Sequence, residues 1–185
     1  MPDRVTGRPT GRPTGQRPAW VDFVVIVTLF ALAGVVGALV WEWVWTAPYG
    51  LVYDHQWVAE DEAALQGQFS GTGWYVVVAS ATGLLVGALV ALFLDRAPLV
   101  TLAAVVVGSA LATFLMVRIG LALGPADPQD LAANATDGTR LPAALTVSEW
   151  SPWIALPAGA LVALALVFIG LGPRRHAQSE DLPAG

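Results

Sequence analysis

The fold follows from residues 74–123, which read WYVVVASATGLLVGALVALFL, then DRAP, then LVTLAAVVVGSALATFLMVRIGLAL. Two apolar runs, each longer than 20 residues, flank a polar break of four residues. About 20 helical residues, rising 1.5 Å each, cross a hydrocarbon core of about 30 Å. Proline is favoured at the first position of a helix, so Pro98 is predicted to open the second run. The stretch therefore predicts two consecutive transmembrane helices.

Two further apolar runs lie outside this stretch. Residues 21–40 carry one charge, Asp22, in the opening turn, where the helix dipole favours an acid. Residues 154–171 follow Ser151 and Pro152, an N-cap and a proline at N1, and Pro157 is expected to bend the start of this span. The first run also resembles a signal peptide with a cleavage site near residue 33, but it continues to residue 40 without a polar break.

These runs predict an all-α fold, an integral membrane four-helix bundle within residues 20–172. The spans are expected at about 21–42, 74–94, 98–121 and 153–171. Composition agrees, because 56% of residues are hydrophobic and 12% are charged, whereas a soluble domain is about a quarter charged. The chain has no cysteine, which excludes disulfides, thiolate metal sites and cysteine nucleophiles.

The two ends of the chain are predicted to be tails. Residues 1–19 repeat a Thr-Gly-Arg-Pro unit and carry almost no apolar side chain, which predicts a disordered basic tail. This tail is either an arm that touches anionic lipid headgroups or a solvated segment that supplies orientation charge. Residues 173–185 form the second tail.

Arginine distribution predicts the orientation. Four spans place both termini on one side with seven arginines, against Arg118 and Arg140 on the other. By the positive-inside rule both termini are expected to be cytoplasmic, in the cell membrane. Arg118 lies about 30 Å along its helix from Pro98, at the far interface, where its side chain can reach water. The seven residues are Arg4, Arg8, Arg12, Arg17, Arg96, Arg174 and Arg175.

Small residues at intervals of four predict how the helices pack, since helices in lipid approach through such residues. If the second and third spans form an antiparallel hairpin, Ala91 faces Ala104, Gly87 faces Gly108, and Gly83 faces Ala112. The alternative is that an alanine- and glycine-rich chain produces such stripes by chance. The predicted packing residues are Ala79, Gly83, Gly87, Ala91, Ala104, Gly108 and Ala112.

Seven of the eight tryptophans are predicted at the outer interface, where indole rings prefer headgroup depth. Seven rings exceed what anchoring four helices requires. The surplus suggests that the outer loops lie against the membrane or a partner. The residues are Trp41, Trp43, Trp45, Trp57, Trp74, Trp150 and Trp153.

No residue set predicts catalysis, a cofactor or a metal. Asp54, His55 and residues 60–62 could in principle ligate a cation, although a solvated acidic loop is the commoner meaning of such a cluster. Whether this loop binds a cation stays open. His55 and His176 are predicted on opposite sides of the membrane, so no serine–histidine–acid set forms. Ionisable residues fall at helix ends or in loops, which disfavours proton-coupled transport.

The layout resembles a family of small four-span membrane proteins from actinobacteria, described only as a domain of unknown function. The matching features are the tryptophan-rich end of the first span leading into residues 47–50, the approach at residues 69–73, Gly83 and Gly87, and the short turn at residues 95–98. A long outer loop and a proline-containing last span follow. The resemblance covers roughly residues 20–172 and implies no activity.

The leading functional hypothesis is a non-enzymatic association or accessory protein of the cell envelope. Its partners would be the lipid bilayer and an envelope protein that meets the outer loops, and no nucleic acid is expected. The alternative is a subunit of a small-solute or ion transporter or channel. The sequence does not determine the oligomeric state.

Overall fold

The computed structural model describes residues 18–93, 98–147 and 150–180. Residues 1–17 of the predicted disordered tail lie outside this part, as do the turn residues 94–97 and the chain end from residue 181. The helices are α1 (Ala19–Val44), α2 (Glu62–Phe93), α3 (Pro98–Leu123), α4 (Pro128–Ala132) and α5 (Ala155–Glu180), with a 3₁₀ helix at Ser151–Ile154. The strands are β1 (Tyr49–Tyr53), β2 (Gln56–Ala59) and β3 (Arg140–Pro142).

Four of these helices confirm the predicted membrane architecture. Helices α1, α2, α3 and α5 are each long and apolar enough to cross a bilayer. Large apolar side chains such as Leu32, Leu85 and Leu166 remain exposed on the outside of the bundle. Hydrocarbon is the favourable environment for such a surface, so the chain is a multi-pass membrane protein.

Helix α2 is longer than its apolar run. It begins at Glu62, twelve residues before the predicted start at Trp74, and its 32 residues are about 48 Å long. The Asp61 carboxylate accepts a hydrogen bond from the Ala64 backbone N–H at 2.7 Å, which satisfies a free N–H in the first turn. Hydropathy marks where lipid begins along a helix, whereas hydrogen bonding decides where the helix begins. Helix α5 likewise continues to Glu180, past the predicted end of its span.

The predicted hairpin between the second and third spans is wrong. Helix α1 packs along α3 and α2 packs along α5, whereas α2 and α3 make few contacts. A Cβ on Gly87 would lie 2.8 Å from Cα of Ala160 in α5, and one on Gly108 would lie 3.1 Å from Cβ of Phe30 in α1. Ala112 likewise faces Gly34 of α1, not Gly83. The helices follow one another around the bundle in the order α1, α2, α5, α3, so α2 and α3 stand diagonally.

The error has a physical reason. Spacing by four places small residues on one helix face, but every helix of this bundle carries such a face, including α1 with Gly34 and α5 with Gly159. Which faces meet depends on the fit between distant segments. Phe30, for example, fills the space beside Gly108. Sequence spacing therefore identified buried positions without identifying their partners.

A small antiparallel sheet, in the order β2–β1–β3, lies at one end of the bundle. Strands β1 and β2 come from the α1–α2 connection and β3 from the α3–α5 connection, so the sheet joins both loops on that side. Asp54 and His55 form the turn between β1 and β2 with positive φ of 51° and 59°, as the tight hairpin turns that match strand twist require. We call this end of the molecule the sheet end. The sheet was not predicted from the sequence, which indicated an all-α fold.

Candidate functional site

Trp41 organises the bundle at the sheet end. Its fully buried indole donates a hydrogen bond from Nε1 to the Gly71 carbonyl oxygen at 2.9 Å. The ring meets the ring of Tyr75 edge-on, with centroids 5.1 Å apart, and its six-membered ring lies against Gly120 of α3. One side chain of α1 therefore contacts both α2 and α3 at the level where the loops begin.

The segment after β3 closes the bundle above this aromatic contact. Leu145 is buried, and its side chain lies against Gly71 of α2 and Gly124 beyond α3. A Cβ on Gly71 would lie 3.3 Å from Cδ1 of Leu145, and one on Gly124 would lie 2.7 Å from its Cβ. Because Gly71 and Gly124 have no side chains, Leu145 fits against both. The segment that follows β3 is therefore packed against the helices.

The seven tryptophans all lie at the sheet end, but they serve different purposes. Trp41 and Trp45 are buried, Trp57 and Trp153 are partly buried, and only Trp43, Trp74 and Trp150 are exposed. Four of the seven indoles therefore contribute to packing within the protein. Fewer tryptophans remain to contact the membrane or a partner than the sequence suggested. A tryptophan that anchors a helix at the membrane interface and a tryptophan buried in the bundle near a helix end look the same in the sequence, because both occur at headgroup depth.

Trp57 holds the three strands together. Its indole lies across Gly50 of β1, where a Cβ would collide with the ring, and its Nε1 donates to the Leu141 carbonyl oxygen of β3 at 3.0 Å. The free edge of β2 is covered by Gln129 of α4. Gln129 accepts from the Trp57 N–H through Oε1 at 3.2 Å and donates to its carbonyl through Nε2 at 3.3 Å. This edge is therefore closed to further strand pairing at its centre.

One side of the sheet is exposed and mainly apolar, with Gln56 opposite Tyr53 and Arg140 opposite Leu51 as its polar members. Tyr49, Leu51 and Tyr53 alternate outward along β1, whereas Gly50 and Val52 are buried. Val58 of β2 pairs with Leu51 and is also exposed. We call Tyr49, Leu51, Tyr53 and Val58 the sheet face. Its most exposed member is Tyr53, at 73%, next to the turn.

Arg140 crosses the base of the sheet face from β3 to β2. Its guanidinium Nη2 lies 2.8 Å from Glu60 Oε2, and its Cζ lies 4.8 Å from the centroid of the Tyr49 ring. The pair is solvent-exposed, so its contribution to stability is small, about 0–1 kcal/mol. The ion pair balances the positive charge of Arg140 and holds its guanidinium over the Tyr49 ring.

Four exposed carboxylates lie in the segments that flank the strands of the sheet face. Asp54 lies in the β1–β2 turn, Asp61 and Glu62 follow β2, and Asp137 precedes β3. The Gly138 N–H donates to the Val52 carbonyl at 2.8 Å, which brings Asp137 to the same end of the sheet as Asp54. We call these four residues the acidic rim. The face thus carries negative charge around an apolar centre.

The candidate cation site is not assembled as a ligand set. Glu60 is paired with Arg140, Asp61 caps α2, and His55 sits at the hairpin turn. Within residues 18–93, 98–147 and 150–180, no three histidine or acidic side chains are grouped so that they could hold a metal ion. The sequence missed the role of Glu60 because its partner, Arg140, is 80 residues away.

The surface of the described residues has recesses at the sheet and between the helices. One of about 250 Å³ adjoins the sheet face and is lined by Pro48, Tyr49, Glu60, Asp61, Ala64 and Arg140. The other, of about 490 Å³, is a groove between α2 and α5 with apolar walls that include Val76, Leu84, Ile154 and Val162. The first lies outside the apolar runs and is polar, whereas the second lies between two membrane-spanning helices.

The described spans carry hydroxyls but no buried charge. The buried polar side chains in them are Thr101, Ser109 and Thr113 of α3, and Ser109 donates back to the Val106 carbonyl at 3.2 Å. Arg118 is exposed, with Cζ 5.7 Å from the Phe114 ring centroid. A transporter or channel subunit, the alternative hypothesis, gains no support from these residues.

Comparison with known proteins adds no assignment. The chain matches no family model, no curated protein and no solved structure. The resemblance to the actinobacterial four-span family therefore stays a prediction.

Proposed function

We propose that this protein is a non-enzymatic membrane protein that acts by association, with the sheet face as its contact for another envelope protein. The single observation that carries the proposal is the exposed apolar surface formed by Tyr49, Leu51, Tyr53 and Val58. Contiguous apolar surface that is not in lipid marks interaction sites in folded proteins.

The rigidity of this surface supports a docking role. Trp57 ties β1 and β2 to β3, and Leu145 fixes the following segment to the bundle. A surface held in one conformation loses little entropy when a partner binds. Tyrosine, which supplies two of the four side chains, is enriched at protein interfaces.

We further propose that the protein resides in the cell membrane with both termini cytoplasmic and the sheet end outside. The seven arginines at the opposite end of the topology support this orientation through the positive-inside rule. The chain has no cysteine, so single cysteines test it directly. Asp137→Cys should react with a membrane-impermeant maleimide in intact cells, and Gly185→Cys should react only after permeabilisation. The reverse pattern would overturn the orientation.

Site-specific photo-crosslinking tests the association. Benzoylphenylalanine at Tyr53 should crosslink in native membranes to one discrete polypeptide, because Tyr53 is the most exposed residue of the sheet face. Trp150 is the matched control, an equally exposed aromatic residue at the same end that is not part of the sheet. Adducts of the same size and yield at both positions, or no protein adduct at Tyr53, would contradict the proposal.

A further inference from the structure

The charge around the sheet face restricts what can bind there. The acidic rim adds four carboxylates in the segments that flank the apolar centre, and Arg140, the arginine of β3, is already paired with Glu60. In the described part of the sheet there is no second arginine, and the chain has no lysine; His55, beside Asp54, is the other basic side chain. The field above the face is therefore negative, which attracts cations and repels anions before any contact forms.

We propose that the sheet face binds a cationic polypeptide segment in which arginine or lysine alternates with aliphatic residues. This inference rests on the proposed function and names the chemistry of the partner. Aliphatic side chains would cover Leu51 and Val58, while the basic side chains reach the rim. Charge complementarity of this kind selects partners and accelerates their encounter.

The same charges disfavour two other occupants. A second copy docked face to face would bring two acidic rims together, and like charges in apposition oppose binding. An anionic lipid surface would be repelled for the same reason. The cationic segment is the occupant that the rim favours.

The recess beside Tyr49 provides a place for one basic side chain. Its lining holds two carboxylates, Glu60 and Asp61, against one guanidinium, Arg140. Its volume of about 250 Å³ is large enough for a single long side chain.

The bound segment is expected to lie on the sheet face and not to extend the sheet beyond β2. Gln129 occupies the backbone N–H and carbonyl of Trp57 on that edge. Strand addition there would have to displace two hydrogen bonds. Binding should therefore depend on the side chains of the face and rim.

A peptide titration tests this chemistry on the full chain in phosphatidylcholine nanodiscs, with empty discs as the blank. The probe is a fluorescent, acetylated hexapeptide, Val-Arg-Val-Arg-Val-Arg, followed by anisotropy. The controls replace every Val by Ser or every Arg by Glu. We expect only the Val-Arg peptide to bind. Its Kd should rise about tenfold between 0.1 M and 1 M salt, because the Debye length falls from about 10 Å to about 3 Å.

Matched variants separate the contributions of charge and apolar contact. The pair Asp54→Asn and Asp137→Asn should weaken binding about threefold or more, whereas Glu42→Gln, an exposed acid on α1, should leave it unchanged. Leu51→Ser should weaken binding without changing its salt dependence. Val58→Ser provides a second test should the first variant fail to fold, as judged by circular dichroism.

Each outcome has a defined meaning. The inference is supported if the Val-Arg peptide binds the unaltered protein and binds both the rim variant and the face variant more weakly. Equal binding of the Val-Glu peptide, full binding by the Ser-Arg peptide, or binding of no peptide overturns it. The crosslinking at Tyr53 is independent of these results. A discrete adduct there with no peptide selectivity would leave the proposed function standing and remove only the cationic partner.

Discussion

Replacing Gly83 with alanine probes the contact between α2 and α5 most directly. A Cβ at this position would lie 3.0 Å from the Ala160 nitrogen and 3.1 Å from the Leu156 carbonyl carbon, and closer still to the Leu156 carbonyl oxygen. These are backbone atoms of α5, so no side-chain rotation can relieve the collision. Carbon contacts are optimal at about 3.5–4.0 Å, so the two helices must separate locally by roughly 0.5–1 Å.

That separation would affect the whole interface. Gly87 and Gly159 lie on the same contact, and a gap of this size loses about a quarter to a half of each dispersion interaction it opens. Overpacking of this kind costs about 1–3 kcal/mol, and the better helix propensity of alanine offsets up to about 1 kcal/mol of it. We expect Gly83→Ala to lower the free energy of unfolding by about 1–2 kcal/mol.

Gly73 supplies the matched control. It lies in the same helix, and a Cβ there would meet no atom of the described residues within 4 Å. Gly73→Ala should therefore raise stability by about 0.5–1 kcal/mol, the cost of glycine within a helix. Sodium dodecyl sulfate titration in mixed micelles, followed by far-ultraviolet circular dichroism, measures both variants. If Gly83→Ala is as stable as Gly73→Ala, the close approach of α2 to α5 is refuted.

Three further outcomes are expected. In the cysteine-free chain, Phe30→Cys with Gly108→Cys should form a disulfide on mild oxidation: their Cβ atoms would be 3.1 Å apart, so a slight separation of α1 and α3 reaches the about 3.5–4.5 Å that disulfides need. Gly87→Cys with Gly108→Cys should not, and the opposite result would restore the α2–α3 hairpin. Tyr75→Phe should stabilise the protein by about 1 kcal/mol in the same detergent titration, because the buried hydroxyl has no hydrogen-bond partner within the part of the chain that the structure describes. A clear loss of stability would show that the hydroxyl is bonded. His55→Gly should slow amide hydrogen exchange across residues 49–59, since φ of 59° strains a side-chain-bearing residue; faster exchange would argue against this turn geometry.

The candidate site was only partly visible in the sequence. The acids of the rim and the aromatic residues of β1 could be located along the chain, and their exposure could be guessed from their polarity. Their assembly into one surface depends on Arg140 and Trp57, which meet partners 80 or more residues away. No local pattern encodes such a pairing, and three-residue strands such as β3 have almost no periodicity to detect.

The tryptophans also show that sequence alone does not determine which side chains are buried. Trp43 and Trp41 are two residues apart on one helix and look alike in sequence, yet the first is exposed and the second is fully buried. Rotation of α1 about its axis decides which ring faces the bundle. That rotation follows from the fit of Trp41 against Gly120 and Tyr75, on helices that come later in the chain.

Local chemistry was sufficient for the four membrane helices. Transfer of a helix from water into lipid is a sum over its own residues, so an apolar run of sufficient length identifies itself without reference to the rest of the chain. Which helix or strand packs against which does not follow from adding up the contributions of single residues. Gly108 faces Phe30, Gly87 faces Ala160, and β3 joins β1, because complementary surfaces from distant segments fill the same space, and that fit exists only once the chain is folded.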